Sequence, residues 1–128
     1  MAKTVLIVDD NEHLREILAS MLKYSGYEIV EAATGSEAIQ KAAVAQPNLI
    51  LLDLDLPDIK GLAVAKKIKA TPATAHIPII ACSASSGWDS RDEALQAGMV
   101  EYLQKPIQFS AMKEIIDKVI LATDRDRA

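Results

Sequence analysis

Six side chains stand out by type and spacing: Asp9, Asp10, Asp53, Asp55, Ser83 and Lys105. Each ends or follows a short apolar run. Asp9 and Asp10 follow VLIV, Asp53 ends LILLD with Asp55 close behind, Ser83 follows IIAC, and Lys105 comes soon after VEYL. If those runs are neighbouring strands, Asp9, Asp10 and Asp53 meet in one patch. Carboxylates held that close repel, and each is costly to desolvate alone. A hard divalent cation relieves the repulsion. Mg²⁺ suits the site, because one or two carboxylates, waters and phosphate oxygens usually hold it. A carboxylate beside such a cation can attack phosphorus and become an aspartyl phosphate. The transferring group gathers negative charge, which a metal and a lysine stabilise. Lys105 would supply the ammonium and Ser83 one hydrogen bond. Ala84 is small and would leave the pocket open.

The elements that must position these groups are legible as runs. Val5–Val8, Leu49–Leu52, Ile77–Cys82 and Val100–Leu103 read as buried strands, and Glu28–Ala32 as a mixed one. Apolarity that is continuous rather than alternating indicates burial on both faces, as in a parallel sheet covered by helices. Helical patterns lie between them. Leu14, Ile17, Leu18, Met21 and Leu22 fall on one helical face. Thr34 and Glu37 form a capping box opening a helix through about Ala45. Leu62–Ala70 reads as a third helix. Ser90 and Glu93 are candidates to cap a fourth that Gly98 would end. Phe109, Met112, Ile115, Ile116, Val119 and Ile120 stripe the last. Strand and helix alternate five times, which predicts right-handed βαβ units and an open, doubly wound α/β sheet. Ligands of such sheets bind outside the carboxyl ends of the strands, where the six residues fall.

Composition narrows the classes. The 128 residues suggest one domain, and half are apolar, enough for a sizeable core. One Trp, one Phe and three Tyr leave the core to aliphatic residues. Fourteen basic and eighteen acidic side chains give a net charge of −4. That balance argues against direct nucleic-acid binding, which needs a basic face. A single cysteine, Cys82, allows no internal disulfide and points to the cytoplasm. No run reaches the ~20 apolar residues of a membrane span, so no membrane insertion is expected. The N-terminus lacks the pattern of a signal peptide. The charged tail TDRDRA, 123–128, is expected to fray after a domain spanning 1–122.

VDD at 8–10, LLDLDLP at 51–57 with Gly61, IIACSA at 79–84 and EYLQKP at 101–106 together resemble the response-regulator receiver domain of two-component signalling, in its stand-alone form. The resemblance covers nearly the whole chain. It implies a flavodoxin-like (βα)5 fold with strand order 2-1-3-4-5. It implies Asp53 as phosphoacceptor, with Mg²⁺ on Asp9, Asp10, Asp53 and the backbone carbonyl of Asp55, and Mn²⁺ as a substitute. Lys105 would contact the phosphoryl group and precede a cis bond to Pro106. Ser83 and Tyr102 would form the switch. A histidine kinase or histidine phosphotransfer protein would donate the group, and a downstream protein would read the result. The readout face would lie around Trp88, Arg91, Tyr102 and Gln104. The protein would be no conventional enzyme, catalysing only its own phosphorylation and slow autodephosphorylation, as a monomer or a phosphorylation-dependent homodimer. Three positions depart from the common pattern. Ser83 stands for a more frequent Thr, Lys60 replaces a small polar or acidic residue, and Asp55 adds an acid beside the pocket. In the family, the position of Asp55 and that of Ser85 tune the lifetime of the phosphoryl group.

Plainer readings exist for each residue. Asp9 and Asp10 suit helix N-caps, although Asn11 is available for that task. Ser83 suits a turn, Tyr102 a sheet edge, and Trp88 either packing or a partner anchor. His13 and His76 read as surface residues, and Cys82 as a buried thiol. Two other functions compete. Asp53-Leu54-Asp55 resembles the opening motif of haloacid-dehalogenase-like phosphatases, but that scheme gives Asp9 and Asp10 no role. A phosphorylation-independent binding module with the receiver fold is the third, against which stands the complete acid and lysine set.

Overall fold

The computed structural model of the protein describes residues 2–84 and 88–127. Strands β1 (Thr4–Val8), β2 (Glu28–Ala32), β3 (Leu49–Asp53), β4 (Ile79–Ser83) and β5 (Glu101–Gln104) alternate with helices α1 (Glu12–Tyr24), α2 (Gly35–Ala45), α3 (Gly61–Ala70), α4 (Trp88–Gln96) and α5 (Phe109–Arg127). All strand pairs are parallel, in the order β2-β1-β3-β4-β5. The doubly wound α/β sheet is therefore as expected.

Period-two alternation sends the strand residues to two cores. Leu6, Val8, Ile50, Leu52, Ile79 and Ala81 face α2, α3 and α4, packing on Ala38, Ala42, Val64, Ile68 and Ala94. Val5, Ile7, Leu49, Leu51, Ile80 and Cys82 face α1 and α5, packing on Leu18, Leu22, Met112 and Ile116. The three central strands are buried on both sides, and β2 and β5 are only half-buried edges. Edge position explains the mixed composition of β2.

Local chemistry sets most boundaries. Asn11 caps α1, its side chain accepting from the Leu14 N–H. Thr34 caps α2 by accepting from Glu37 N–H, while the Glu37 carboxylate takes the Ala33 N–H. Gly98, at φ +94°, follows the end of α4 in the left-handed region where glycine is favoured.

Several boundaries differ from the sequence reading. On α1, Ile17 and Met21 are 54% and 37% exposed, because only Leu18, Ala19 and Leu22 face the sheet and α5 squarely. Strand β4 begins at Ile79 rather than Ile77, since Pro78 has no N–H for the ladder. Strand β5 is shifted by one residue from Val100, which is 43% exposed. Helix α4 already runs from Trp88, so Ser90 and Glu93 lie inside it rather than capping it. Helix α5 extends through 123–127 as far as Arg127. Thr123 Oγ1 donates to the Val119 carbonyl there, and Lys3 from the start of β1 pairs with Asp124 at 2.9 Å.

Candidate functional site

Parallel pairing brings the strand ends to one edge. Val8 is level with Leu52, and Asp53 with Cys82. Asp9, one residue beyond β1, therefore lies beside Asp53 at the tip of β3. Ser83 and Gln104 pair at the ends of β4 and β5, and the Lys105 N–H donates to the Ser83 carbonyl at 2.8 Å. That bond places Lys105 over the same edge. The Lys105–Pro106 peptide is cis.

Asp9, Asp10 and Asp53 each offer a carboxylate oxygen, and these atoms all lie within 4.8 Å of one another. Asp9 and Asp53 are 4% and 2% exposed, whereas Asp10 faces solvent. The Lys105 ammonium lies 3.1 Å from Asp9 Oδ2 and 3.2 Å from Asp53 Oδ2. Two carboxylate oxygens are pinned by backbone. Asp9 Oδ1 accepts from the Asn11 N–H, and Asp53 Oδ1 from the Asp55 N–H, each at 2.9 Å. The plain reading of Asp9 and Asp10 as helix caps does not hold, because Asn11 caps α1.

Burial pushes the Asp53 carboxyl above the ordinary range, while the Asp55 N–H and the Lys105 ammonium pull it back. Burial works against the charge on Lys105, but Asp53 and Asp9 outweigh it and hold the ammonium above its usual pKa. Two buried carboxylates thus share one ammonium, with a third, Asp10, beside them. A hard, oxygen-seeking divalent cation fits this donor set, two of its members being desolvated and the third open to water. Burial also raises the Cys82 thiol, which leaves it inert as a nucleophile.

The end of β4 faces the same pocket. Ser83 is 2% exposed, and its hydroxyl donates to Asp55 Oδ2 at 3.3 Å. The Ala84 N–H donates to the same oxygen at 3.2 Å. Tyr102 is half-buried on β5 against the core beneath α2, α3 and α4. Arg91 and Gln104 are exposed. Trp88 opens α4, but its side chain, like all of Ser85, lies outside the described residues.

The sequence reading missed three supports. Arg15 Nη1 donates to the Asp9 carbonyl at 2.7 Å, and its Nε pairs with Glu31 on β2 at 3.1 Å. The Asp58 carboxylate accepts from the Gly35 and Ser36 N–H groups at 2.8 and 3.1 Å, tying the β3–α3 loop to the start of α2. The Asp55 side chain spans to β4 as described. The first two partnerships join residues 6 to 23 positions apart. Only the short spacing of Arg15, in the first turn of α1 and six residues from Asp9, left a local trace.

Residues 5–117 match the family described as the response regulator receiver domain. The chain belongs to this family. Among curated relatives, the receiver is 36% identical over 116 residues to the polar-differentiation response regulator DivK of Brucella ovis, covering 91% of this chain and 94% of that one. Among solved structures, a CheY-like receiver domain protein from Methanospirillum hungatei superposes with a TM-score of 0.92 at 26% identity, covering 98% and 99% of the two chains. The receiver domain of a sensor histidine kinase from Pseudomonas aeruginosa, with a magnesium ion coordinated in its active site cleft, gives 0.85 at 31% identity, covering 94% and 98%. Receiver domains bind Mg²⁺ at this acidic site, and the cluster of Asp9, Asp10 and Asp53 fits the family's phosphoacceptor site. Membership implies kinase or phosphotransfer partners and downstream effectors. Among the described residues no helix is long and apolar enough to cross a membrane.

Proposed function

We propose that Asp53 accepts a phosphoryl group from a phosphohistidine on a histidine kinase or phosphotransfer protein, and that the modified receiver binds a downstream protein differently. One observation carries the reading. The Asp53 carboxylate is buried at the tip of a central strand, with an ammonium 3.2 Å away and two further acids beside it.

The chain's own residues account for the chemistry. The Asp55 N–H holds one oxygen of the Asp53 carboxylate, and the Lys105 ammonium opposes the effect of burial on its charge. An Asp53 oxygen attacks phosphorus in line with the P–N bond. The O–P bond forms as the P–N bond breaks, and the released pair stays on that nitrogen; with the other ring nitrogen of the phosphohistidine already carrying a proton, the imidazole leaves neutral. Lys105, held by both Asp9 and Asp53, meets the charge that grows on the phosphoryl oxygens. Asp9, Asp10, Asp53 and the Asp55 backbone carbonyl would hold Mg²⁺, with Mn²⁺ as a substitute. That cation supplies positive charge to the acids and to the phosphoryl oxygens.

Ser83 and Lys105 closing on the phosphoryl group favour one state of a two-state equilibrium, with Tyr102 as its reporter. The readout surface comprises α4, β5 and α5 around Trp88, Arg91, Tyr102 and Gln104. The protein works in the cytoplasm as a monomer or a phosphorylation-dependent homodimer, and its only catalysis is its own phosphorylation and slow dephosphorylation.

Intact-mass analysis after incubation with Mg²⁺ and acetyl phosphate tests the reading. A gain of ~80 Da on the wild type, absent from Asp53→Asn and with EDTA, is the expected outcome. No adduct and no released phosphate would overturn it.

A further inference from the structure

The anion-accepting donors at the end of β4 are already engaged. Asp55 Oδ2 takes both the Ser83 hydroxyl, at 3.3 Å, and the Ala84 N–H, at 3.2 Å. These two donors sit one and two residues past Cys82, the β4 residue level with Asp53. The Asp55 N–H meanwhile holds Asp53 Oδ1. One residue thus touches the candidate acceptor through its backbone and the opposite wall through its carboxylate.

We propose that the Asp55 carboxylate is an internal stand-in for a phosphoryl oxygen, and that phosphorylation is a ligand exchange in which it surrenders Ser83 and Ala84. This rests on Asp53 being the phosphoacceptor. A dianionic group on Asp53 needs the same two donors and repels the Asp55 carboxylate beside it. A carboxylate and a phosphoryl oxygen cannot both take one N–H at full strength, so the side chain rotates away.

The structure offers a place for it. A cavity of about 130 Å³ adjoins the pocket, lined by Leu54, Asp55, Lys60, Ser83, Ser90 and Glu93 among others. Among the described residues of that lining, Lys60 is the one cation. It precedes α3, and its side chain makes no capping hydrogen bond. The displaced carboxylate moves toward Lys60, which gives a role to a residue that departs from the family's usual small or acidic type. Before modification, Asp55 holds Ser83 inward, so the switch starts from an engaged hydroxyl.

The test measures binding of beryllium fluoride, a stable phosphoryl mimic, in Mg²⁺ by fluorine NMR. Asp55→Ala should bind it about tenfold more tightly than wild type, because two hydrogen bonds to a charged acceptor no longer need breaking. Lys60→Ala should weaken binding in the wild type but not in the Asp55→Ala background. Without the mimic, the Ala84 amide should exchange faster with solvent in Asp55→Ala, and the mimic should restore its protection. Simple charge repulsion by Asp55 would leave that amide unmoved and would overturn the exchange. So would equal mimic affinity in wild type and Asp55→Ala. Binding to wild type that survives Asp53→Asn, or no binding to any variant, would overturn the phosphoacceptor reading and this inference with it.

Discussion

The Lys105 ammonium stands 3.2 Å from the buried Asp53 carboxylate while also serving Asp9 at 3.1 Å. One cation divided between two desolvated acids, with Asp10 alongside, leaves the metal-free site under-compensated. The upward push of burial on the Asp53 carboxyl is the measure of that deficit.

Asp53→Asn should therefore stabilise the metal-free protein at neutral pH. A folded-state pKa above the unfolded value means that ionised Asp53 costs stability, and the cost is complete above the folded pKa. It disappears as pH falls toward the ordinary carboxylate range, where both states are protonated. The expected gain is on the order of 1 kcal/mol, or about 4 °C in Tm. Thermal melts from pH 4 to 8 in EDTA should show the two proteins converging at the acid end. A variant less stable than wild type at pH 7 would mean that Lys105 more than compensates the charge.

Asp58 has the opposite sign. The Gly35 N–H, aided by the Ser36 and Ile59 N–H groups and the Ser36 hydroxyl, outweighs the opposing effect of desolvation and brings its carboxyl down to about 2. A depressed pKa stabilises the fold above the unfolded value, near 3.8, and the contribution vanishes as pH falls through about 2. Asp58→Ala should lower Tm at pH 7 and make the residual stability less steeply dependent on pH between 4 and 2. Urea melts at the two ends of that window would decide it. An equal deficit at both would assign the effect to packing rather than to the anion at the start of α2.

How far the site could be read in advance depended on chain distance. Asp9, Asp10, Asp53, Ser83 and Lys105 were visible because each follows an apolar run, and parallel pairing sends every such residue to one edge. The Thr34–Glu37 cap was visible because its partners are three residues apart. Asp58 was not, since its partners lie 22 and 23 residues earlier and an acid after Pro57 looks like an ordinary turn. The Asp55 side chain was noticed as an additional charge, but its bonds to Ser83 and Ala84 depend on how closely the β3–α3 loop approaches β4. The start of α4 was misplaced because Ser90 and Glu93 imitate a local cap inside a helix already under way.

Gly61 is where packing and chemistry meet. A Cβ there would lie 2.4 Å from Leu54 Cα and 2.8 Å from the Asp53 carbonyl oxygen. Both are backbone atoms and cannot step aside, so α3 or the strand tip must move. Gly61→Ala should lose about 2 kcal/mol in urea denaturation, as overpacked sites do. The same shift would disturb Asp53 and the neighbouring Asp55 carbonyl, so phosphorylation by acetyl phosphate should slow even where the variant is fully folded. Undiminished phosphorylation in a destabilised variant would show that the tip of β3 holds its place while α3 yields.

Magnesium should act as a fold stabiliser through the same acids. A ligand that binds only the native state adds RT ln(1 + [L]/Kd), about 1.4 kcal/mol at ten times Kd. For a domain of this size that is about 4 °C in Tm. Asp10 is the informative position, because it is exposed, yet its oxygen lies within 4.8 Å of those of Asp9 and Asp53. Asp10→Ala should melt near the wild-type temperature in EDTA and respond to Mg²⁺ only at much higher concentration. The stabilising effect of Asp53→Asn should shrink in parallel as Mg²⁺ is added to both proteins, since the ion removes the repulsion that the substitution relieves. A Mg²⁺ titration of Tm on the three proteins measures both trends. A full Mg²⁺ shift retained by Asp10→Ala would place the ion on Asp9 and Asp53 alone.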